Sequence, residues 1–195
     1  MATSGPLYPS TLTPDGSGTD AWSNLTNLSA DDATYATAVF SPYDYTDVVD
    51  ATAFGFAIPG GSTIDGIVVE VQGKVNTADD SGIYSILLLK AGTPTGDNKG
   101  SSDPFVFTAS DTTKTWGGAA DLWGTTWTVS DINNSGFGFQ FYAQWDDSGS
   151  LGGTRTVSVD FVRITVHYTA AGGGGSFIAR ANVSPTQAVN RASTY

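Results

Sequence analysis

Apolar residues recur at every second position in several short runs of the chain, which is the spacing of β-strands with one buried face. The clearest example lies in residues 54–72, where apolar side chains alternate with small or polar ones on both sides of a Pro-Gly-Gly-Ser turn at residues 59–62. This pattern predicts two strands joined by a turn. We expect this pair of strands to lie at the centre of the domain.

The same alternation predicts further strands before and after this pair. They are centred on residues 35–40, 53–57, 83–90, 105–107, 114–116, 136–145 and 155–168. The last two runs alternate most regularly, so we predict that they pair with each other as antiparallel neighbours. Short strands at this spacing are typical of all-β domains. The sequence therefore predicts an antiparallel β-sandwich, jelly-roll-like or Ig-like, over residues 31–171.

Helical structure and regular alternation are both rare in the first part of the chain. Residues 1–30 are rich in Pro, Gly, Ser and Thr with scattered apolar residues between them, which predicts an extended N-terminal segment lying along the surface of the domain. The one helical turn that the sequence predicts is at residues 131–133, where residues 128–130 offer an N-cap.

The character of the chain changes at residue 172. Four consecutive glycines, residues 172–175, precede a segment that contains arginines but no acidic residue. This segment, residues 176–195, is too short to form its own core, so we predict a C-terminal attachment arm that becomes ordered on a partner. The residues predicted to bind that partner are Phe177, Ile178, Arg180, Val183, Val189, Arg191 and Tyr195.

The composition combines few charges with a strongly acidic balance. Charged residues make up 14% of the 195 residues, and the formal net charge is −11. Such a balance argues against binding to nucleic acid, because phosphates would be repelled. Glu70 is the only glutamate, and Asp, which supplies the other carboxylates, favours turns over helix interiors. The chain has no cysteine, so disulfides and thiol chemistry are excluded.

The sequence also bears on location. No apolar run reaches the length of a membrane span, and the N-terminus has no basic or apolar signal region. We therefore expect neither membrane insertion nor Sec-type export. A sandwich protein of this kind could leave its cell by lysis, as virion components do.

Six stretches of the chain carry a family resemblance. They are DATYAT at residues 32–37, IPGGSTIDGIVVEV at 58–71, LLKAGTPT at 88–95, AADLWGTTWTVSDIN at 119–133, FGF at 137–139 and SVDFVRITVHY at 158–168. Together they resemble a recurrent β-sandwich module of tailed-bacteriophage structural proteins and of related prophage or bacterial surface proteins. The resemblance implies a structural role without catalytic residues. It leaves the virion position open among capsid decoration, the head-tail junction and the tail.

Acidic pairs are the first candidates for chemistry. The pairs are Asp31 with Asp32, Asp79 with Asp80, and Asp146 with Asp147. Their oxygens suit Ca²⁺, but the spacing matches no EF-hand or β-roll loop, so we predict turn-forming residues and no cofactor, with bound Ca²⁺ as the alternative. Glycoside hydrolases also use paired carboxylates, but one of the two must be buried enough to stay protonated, which adjacent Asp residues in Gly-rich loops do not favour.

Other catalytic motifs are missing from the sequence. His167, the only histidine, has no Gly-x-Ser-x-Gly elbow to partner it, and the glycines at 172–175 lack the Lys and the helix of a phosphate-binding loop. We therefore predict that the protein is not an enzyme.

Aromatic residues raise an alternative of another class. Exposed rings bind sugars by stacking, and the candidates for a glycan-binding platform are Trp116, Trp123, Trp127 and Trp145, together with Tyr43, Tyr45 and Tyr142. The competing interpretation is that the tryptophans cover one end of the sandwich core.

The sequence thus yields one primary hypothesis and one alternative. The primary hypothesis is a non-enzymatic virion structural protein of a tailed phage, such as a capsid decoration (cement) or other accessory head protein. It would bind major capsid or tail subunits through its terminal arms and form a homotrimer or ring. The alternative is a tail- or fibre-associated carbohydrate-binding module that recognises host surface glycans.

Overall fold

Two antiparallel β-sheets pack face to face in the computed structural model, which describes residues 1–146 and 152–171. The strands are β1 (Ala2–Leu7), β2 (Thr11–Pro14), β3 (Ala36–Phe40), β4 (Val49–Thr52), β5 (Thr63–Val75), β6 (Ser81–Lys90), β7 (Thr93–Thr95), β8 (Phe105–Val106), β9 (Thr112–Gly117), β10 (Gly138–Trp145) and β11 (Arg155–Thr169). Two short α-helices, α1 (Lys99–Ser102) and α2 (Val129–Ile132), and a 3₁₀ helix (Leu25–Leu28) connect them. The predicted fold class, an all-β antiparallel β-sandwich, is confirmed.

The two sheets have different strand orders. Sheet A runs β1-β11-β5-β9, and β3 pairs with the half of β11 that β1 leaves open. Sheet B runs β2-β4-β10-β6-β7, with β8 also pairing with β6. The long strands β5 and β11 pair along nearly their whole length and form the centre of sheet A. The prediction that residues 63–72 are central is therefore confirmed.

The core lies between the sheets and follows from the alternation in the sequence. In β10, Phe139, Phe141 and Ala143 are fully buried, whereas the residues between them are only half-buried. In β11, Val157 and Val159 are buried in the same way. A strand with one apolar face gains stability by turning that face away from water, so each sheet presents its apolar side to the other.

The predicted pairing of β10 with β11 is wrong. β10 pairs with β4 and β6 in sheet B, and β11 pairs with β1, β3 and β5 in sheet A. Each strand already has neighbours on both edges of its own sheet. Instead, the apolar faces of β10 and β11 face each other across the core. Stacking of the two sheets buries both apolar faces, whereas two strands paired side by side would still need a second sheet to cover them.

The predicted strand at residues 53–57 is also wrong. The strand β4 ends at Thr52, and Ala53 and Gly55 both adopt positive φ, which interrupts a ladder. Phe54, Phe56 and Ile58 are buried nevertheless. The side chain of Asn133 takes the place of a neighbouring strand: its Oδ1 accepts from the Ile58 N–H at 2.8 Å, and its Nδ2 donates to the Ile58 carbonyl at 2.9 Å.

The N-terminal segment is part of both sheets. β1 pairs with β11 in sheet A, and β2 pairs with β4 in sheet B, so residues 2–14 cross from one sheet to the other. Trp22 and Leu28 are buried, which fixes the following loop to the core. The prediction that this segment only lies along the surface missed these pairings, because residues 2–14 contain Pro6, Pro9 and Pro14 and lack clear alternation.

The helical turn predicted beside residue 131 is confirmed as α2. Thr128 caps it, and Asp131 completes a capping box by accepting from the Thr128 N–H at 2.9 Å. The sequence did not predict α1, which Asn98 caps by accepting from the Ser101 N–H. Among the described residues no helix has the length and apolar character needed to cross a membrane.

Candidate binding surface

Exposed tyrosines gather on the outer face of sheet B. In β10, Gln140, Tyr142 and Gln144 alternate with the buried phenylalanines and so point away from the core. Tyr45 lies beside them, because its backbone forms an isolated antiparallel bridge with Gln144. Tyr43 precedes it in the same loop. We call these five residues the tyrosine face.

The rings of the tyrosine face are accessible. Tyr43 is 71% exposed and Tyr45 is 41% exposed, the highest values among the aromatic residues of the described chain. The Tyr45 and Tyr142 rings contact each other edge to face, with their centroids 6.3 Å apart, a distance typical of such pairs. Open aromatic faces beside amide side chains provide both stacking area and hydrogen-bonding groups.

Backbone contacts hold this surface in place. The Tyr43 N–H donates to the Trp145 carbonyl at 3.0 Å, which fixes the loop to the end of β10. Thr19 exchanges bonds with Tyr45: its N–H donates to the Tyr45 carbonyl at 2.9 Å, and its Oγ1 accepts from the Tyr45 N–H at 3.0 Å. The rings are therefore presented by an ordered loop that is tied to two neighbouring segments.

The surroundings of the tyrosine face are acidic. Burial raises the pKa of Asp20, and the nearby Asp44 carboxylate adds to that effect. Burial also raises the pKa of Asp50, which pairs with Gln140 in the sheet, with a further contribution from Asp15. These carboxylates favour ligands with hydroxyl or cationic groups over anionic ligands.

A second polar cluster lies on sheet A beside a small cleft. The cleft has a volume of ≈ 190 Å³, and Lys74 lines it together with Asn76, Thr156 and Ser158. Lys74 donates to the Tyr35 hydroxyl at 2.8 Å and to Asp111 at 3.1 Å. These two hydrogen bonds, that to Tyr35 first, raise the pKa of Lys74 and keep its ammonium protonated. A lysine nucleophile needs the opposite shift, so these contacts do not favour that role for Lys74.

One buried carboxylate stands out from the rest. Asp160 lies at an irregularity of the β5–β11 pairing and is only 1% exposed, and its Oδ1 has no hydrogen-bond partner. Burial raises the pKa of Asp160, with smaller contributions from the carboxylates of Asp31 and Asp32, although the Ala33 and Asp32 amides oppose the shift. The folded protein therefore disfavours the charged form of this side chain.

We expect the variant Asp160→Asn to be more stable than the parent at pH 7, by about 1 kcal/mol, because the amide removes a buried charge with an unpaired oxygen. A raised folded pKa means that the parent gains stability as pH falls through that pKa, with the gain complete below the unfolded pKa of about 3.9. The advantage of the variant should therefore shrink between pH 7 and pH 4. Urea unfolding at both pH values measures this, and a difference that is independent of pH would contradict it.

Comparisons with known proteins add little to this geometry. No protein-family model matches the chain, and no curated protein matches it. One solved structure shows a weak similarity to this chain: the N-terminal cellulose-binding domain from Cellulomonas fimi β-1,4-glucanase C. The TM-score is 0.38 and the sequence identity is 13%, over 70% of this chain and 78% of that domain. A likeness at this level carries no argument about function.

The structure buries the tryptophans that the carbohydrate-binding alternative relied on. Trp116, Trp123, Trp127 and Trp145 are between 0% and 7% exposed. Three of them donate their indole N–H to backbone carbonyls, Trp116 to Asp103 among them at 2.8 Å. They therefore do not form an exposed stacking platform, because their rings complete the core. Only the tyrosines of that earlier set are open.

The segments that carry Asp79, Asp80 and Asp146 come close together, because Ser81 pairs with Trp145 and all three carboxylates act on Tyr84, whereas Asp31 and Asp32 lie near Asp160. Asp79 is buried in an ion pair with Arg155, whereas Asp31 lies near Arg163 at 3.5 Å. Among residues 1–146 and 152–171 no group of three His, Cys, Asp or Glu side chains is arranged to hold a metal ion. His167 is half-buried in β11, opposite Gly66. Asp147 lies outside the described residues.

The predicted attachment arm cannot be placed in this fold. Phe177, Ile178, Arg180, Val183, Val189, Arg191 and Tyr195 all lie outside the described residues. Two members of the tyrosine face, Gln140 and Gln144, were not predicted as site residues. Their alternation with Tyr142 in β10 was the available signal, since it places all three on one face of the strand.

Proposed function

We propose that this chain is a non-enzymatic structural protein of a tailed-phage virion, and most specifically an accessory head protein such as a capsid decoration protein. One observation carries the proposal: the side chains of the stretches that resemble phage structural modules are engaged in holding the backbone of the sandwich. They form turns, helix caps and hydrogen bonds between distant segments. Within the described residues, none of these side chains belongs to a catalytic arrangement.

The turn formers are the first example. Asp32 Oδ1 accepts from the Thr34 N–H at 2.9 Å, which closes the turn at the start of the DATYAT stretch. Asp121 Oδ1 accepts from the Trp123 N–H at 2.8 Å in the AADLWG stretch. A carboxylate that accepts a hydrogen bond from its neighbouring backbone in this way stabilises the local turn.

Hydrogen bonds between distant segments are the second example. The Trp123 indole N–H donates to the Ile67 carbonyl at 3.0 Å and ties residues 119–124 to β5. Arg163 of β11 forms two bonds to Glu70 of β5, at 3.0 and 3.1 Å, on the outer face of sheet A. A motif that specifies a scaffold in this way supports a structural role rather than a catalytic one.

Particle binding tests this proposal. The full-length protein and a version truncated after Ala171 are mixed with virion particles that lack the protein, and both are followed by co-sedimentation. We expect the full-length protein to bind and the truncated body to stay folded but lose binding, because the arm provides the attachment. Equal binding of both forms would contradict the role of the arm. Failure of the full-length protein to bind any particle would contradict the virion assignment.

The tyrosine face favours a second candidate function, recognition of host surface glycans by a tail- or fibre-associated module. Tyr43 and Tyr45 offer exposed ring faces, and Gln140 and Gln144 offer amide groups for sugar hydroxyls. The acidic surroundings are compatible with neutral sugars. This candidate rests on the tyrosines alone, since the tryptophans are buried.

We expect Tyr45→Ala to weaken glycan binding by about tenfold if this second function holds, because the substitution removes one stacking face. The fold should be unchanged, since the ring is partly exposed. A glycan array followed by titration calorimetry on any bound sugar measures the effect. Val39→Ala is the matched control, because Val39 is 51% exposed on β3 in the other sheet. Absence of any glycan bound by the parent, or equal losses in both variants, would exclude this function.

A further inference from the structure

The strand β9 forms an open edge of sheet A. It pairs with β5 on one side, and within residues 1–146 and 152–171 no backbone group bonds to its other side. Half of the N–H and C=O groups of an edge strand point outward. A strand from another segment can pair with them directly.

Most other edges of the sandwich carry features that hinder such pairing. β1, β2 and β7 each contain a proline, namely Pro6, Pro14 and Pro94. The outer side of β3 is already occupied, because Ser23 and Thr37 exchange two backbone hydrogen bonds of 2.8 and 3.0 Å. β8 is only two residues long. β9 is therefore the longest edge strand without a proline or a covering segment.

The side chains of β9 also suit an added strand. Thr113 and Thr115 are exposed and β-branched, and they lie on the outer face of the sheet opposite Gln72 and Glu70 of β5. The one charged residue, Lys114, is held back by an ion pair with Asp103. The charge of Lys114 is thus neutralised close to the strand and does not hinder the approach of another strand to this edge.

We propose that residues 176–183 of a second copy of this chain add to β9 as an antiparallel strand. This inference rests on the proposed structural role and gives a contact for the homotrimer or ring predicted with it. The segment, SFIARANV, alternates as a strand does, with Phe177, Ala179, Ala181 and Val183 on one side and Ile178, Arg180 and Asn182 on the other. Pro185 ends the pattern. Arg180 of this acid-free segment complements the acidic body.

Reach favours a second copy over the chain's own arm. Thr169 pairs with Thr63 at one end of β5, whereas β9 starts to pair at Val68. From Thr169, a strand added to β9 would therefore begin about five residues away along the strand direction and three strand spacings away across the sheet. The two displacements together give a distance of roughly 22 Å. A flexible linker of the length of residues 170–175 spans about 14 Å on average. Pairing within one chain would need an almost fully stretched linker, which pairing between copies does not.

Disulfide trapping tests the proposal, because the chain has no cysteine of its own. One population carries Thr115→Cys, and the other carries Ile178→Cys, Arg180→Cys or Asn182→Cys, one at a time. We expect mild oxidation of the mixture to give a cross-linked dimer for at least one of the three. Adding Ala179→Pro to the arm should abolish the product, since proline breaks a paired strand. The matched control Ala188→Pro lies beyond Pro185 and should leave the product unchanged.

Each outcome of this experiment bears on the inference. A chain that carries both Thr115→Cys and the arm cysteine serves as the comparison, and a cross-link that forms only within this chain shows pairing in cis and overturns the inference. So does a product that survives Ala179→Pro, or no product with any of the three cysteines. The experiment uses no virion particles, so its failure leaves the particle-binding result untouched. Failure of particle binding with a positive cross-link would instead refute the virion assignment alone.

Discussion

Replacing Arg155 with Ala is expected to destabilise the protein by about 3–5 kcal/mol, because it leaves a buried carboxylate without its partner. The Arg155 and Asp79 side chains are only 8% and 7% exposed, and the Arg155 Nε donates to Asp79 Oδ2. The other oxygen of Asp79 accepts from the N–H and the hydroxyl of Ser81. Urea unfolding followed by tryptophan fluorescence measures the loss.

The position of this ion pair explains the size of the effect. Arg155 begins β11 in sheet A, whereas Asp79 precedes β6 in sheet B, so the pair joins the two sheets. The guanidinium also lies over the Trp145 ring, 4.2 Å from its centroid, and covers that end of the core. Removing the side chain therefore takes away packing as well as charge.

A double variant separates these two contributions. Arg155→Met with Asp79→Asn keeps the volume over Trp145 and the acceptor for Ser81 but removes both charges. Because a neutral, well-packed replacement of a buried ion pair is often tolerated, we expect the double variant to recover most of the lost stability. If the double variant is as unstable as Arg155→Ala, the loss comes from something other than the unpaired carboxylate.

The sequence predicted the fold class because alternation reports which face of a strand is buried. In β10 and β11 that pattern located the strands to within two residues. It could not assign partners, since two strands with one apolar face each can pair side by side or stack across a core. The decision depends on the other strands available to each sheet, which is information from the whole chain.

Local pattern also misread the segment around Ile58. Its apolar alternation is real, because Phe54, Phe56 and Ile58 are buried. Its backbone is satisfied by the side chain of Asn133, which lies 75 residues away. The apolar periodicity of a segment does not depend on hydrogen bonds from distant side chains, so it could not predict this contact. The N-terminal strands were missed for a related reason, since they follow the sheet edges without alternation of their own.

The candidate surface was only partly predictable. The sequence singled out tyrosines and tryptophans together, because both offer ring faces, but exposure depends on tertiary packing. A tryptophan whose indole N–H finds a backbone carbonyl can be buried without cost to hydrogen bonding. Trp127 illustrates this, since it donates to the Leu122 carbonyl at 3.0 Å and is 7% exposed. Tyr43 and Tyr45 stay exposed because they lie in the loop between β3 and β4.

Trp123 combines several of these features in one side chain. It is fully buried, and its backbone adopts a positive φ of 57°, which is unfavourable for a bulky residue. The loop tolerates this conformation because the Trp123 N–H, carbonyl and indole N–H all have partners. The carbonyl accepts from the Asp97 N–H at 2.8 Å, and the indole N–H donates to Ile67 at 3.0 Å. The side chain thereby fixes the strap formed by residues 119–124 onto the sandwich.

We expect Trp123→Ala to lower the free energy of unfolding by about 4 kcal/mol, because it leaves a large cavity and removes the indole donor. Trp123→Phe should cost less, since it keeps most of the packing and the Ile67 carbonyl still accepts from the Gly118 N–H at 3.2 Å. Val39→Ala is the matched control, because Val39 is 51% exposed, and its unfolding midpoint should be close to that of the parent. Chemical denaturation of the three variants measures these differences. Equal stability of Trp123→Ala and the parent would show that the strap does not hold the sandwich together.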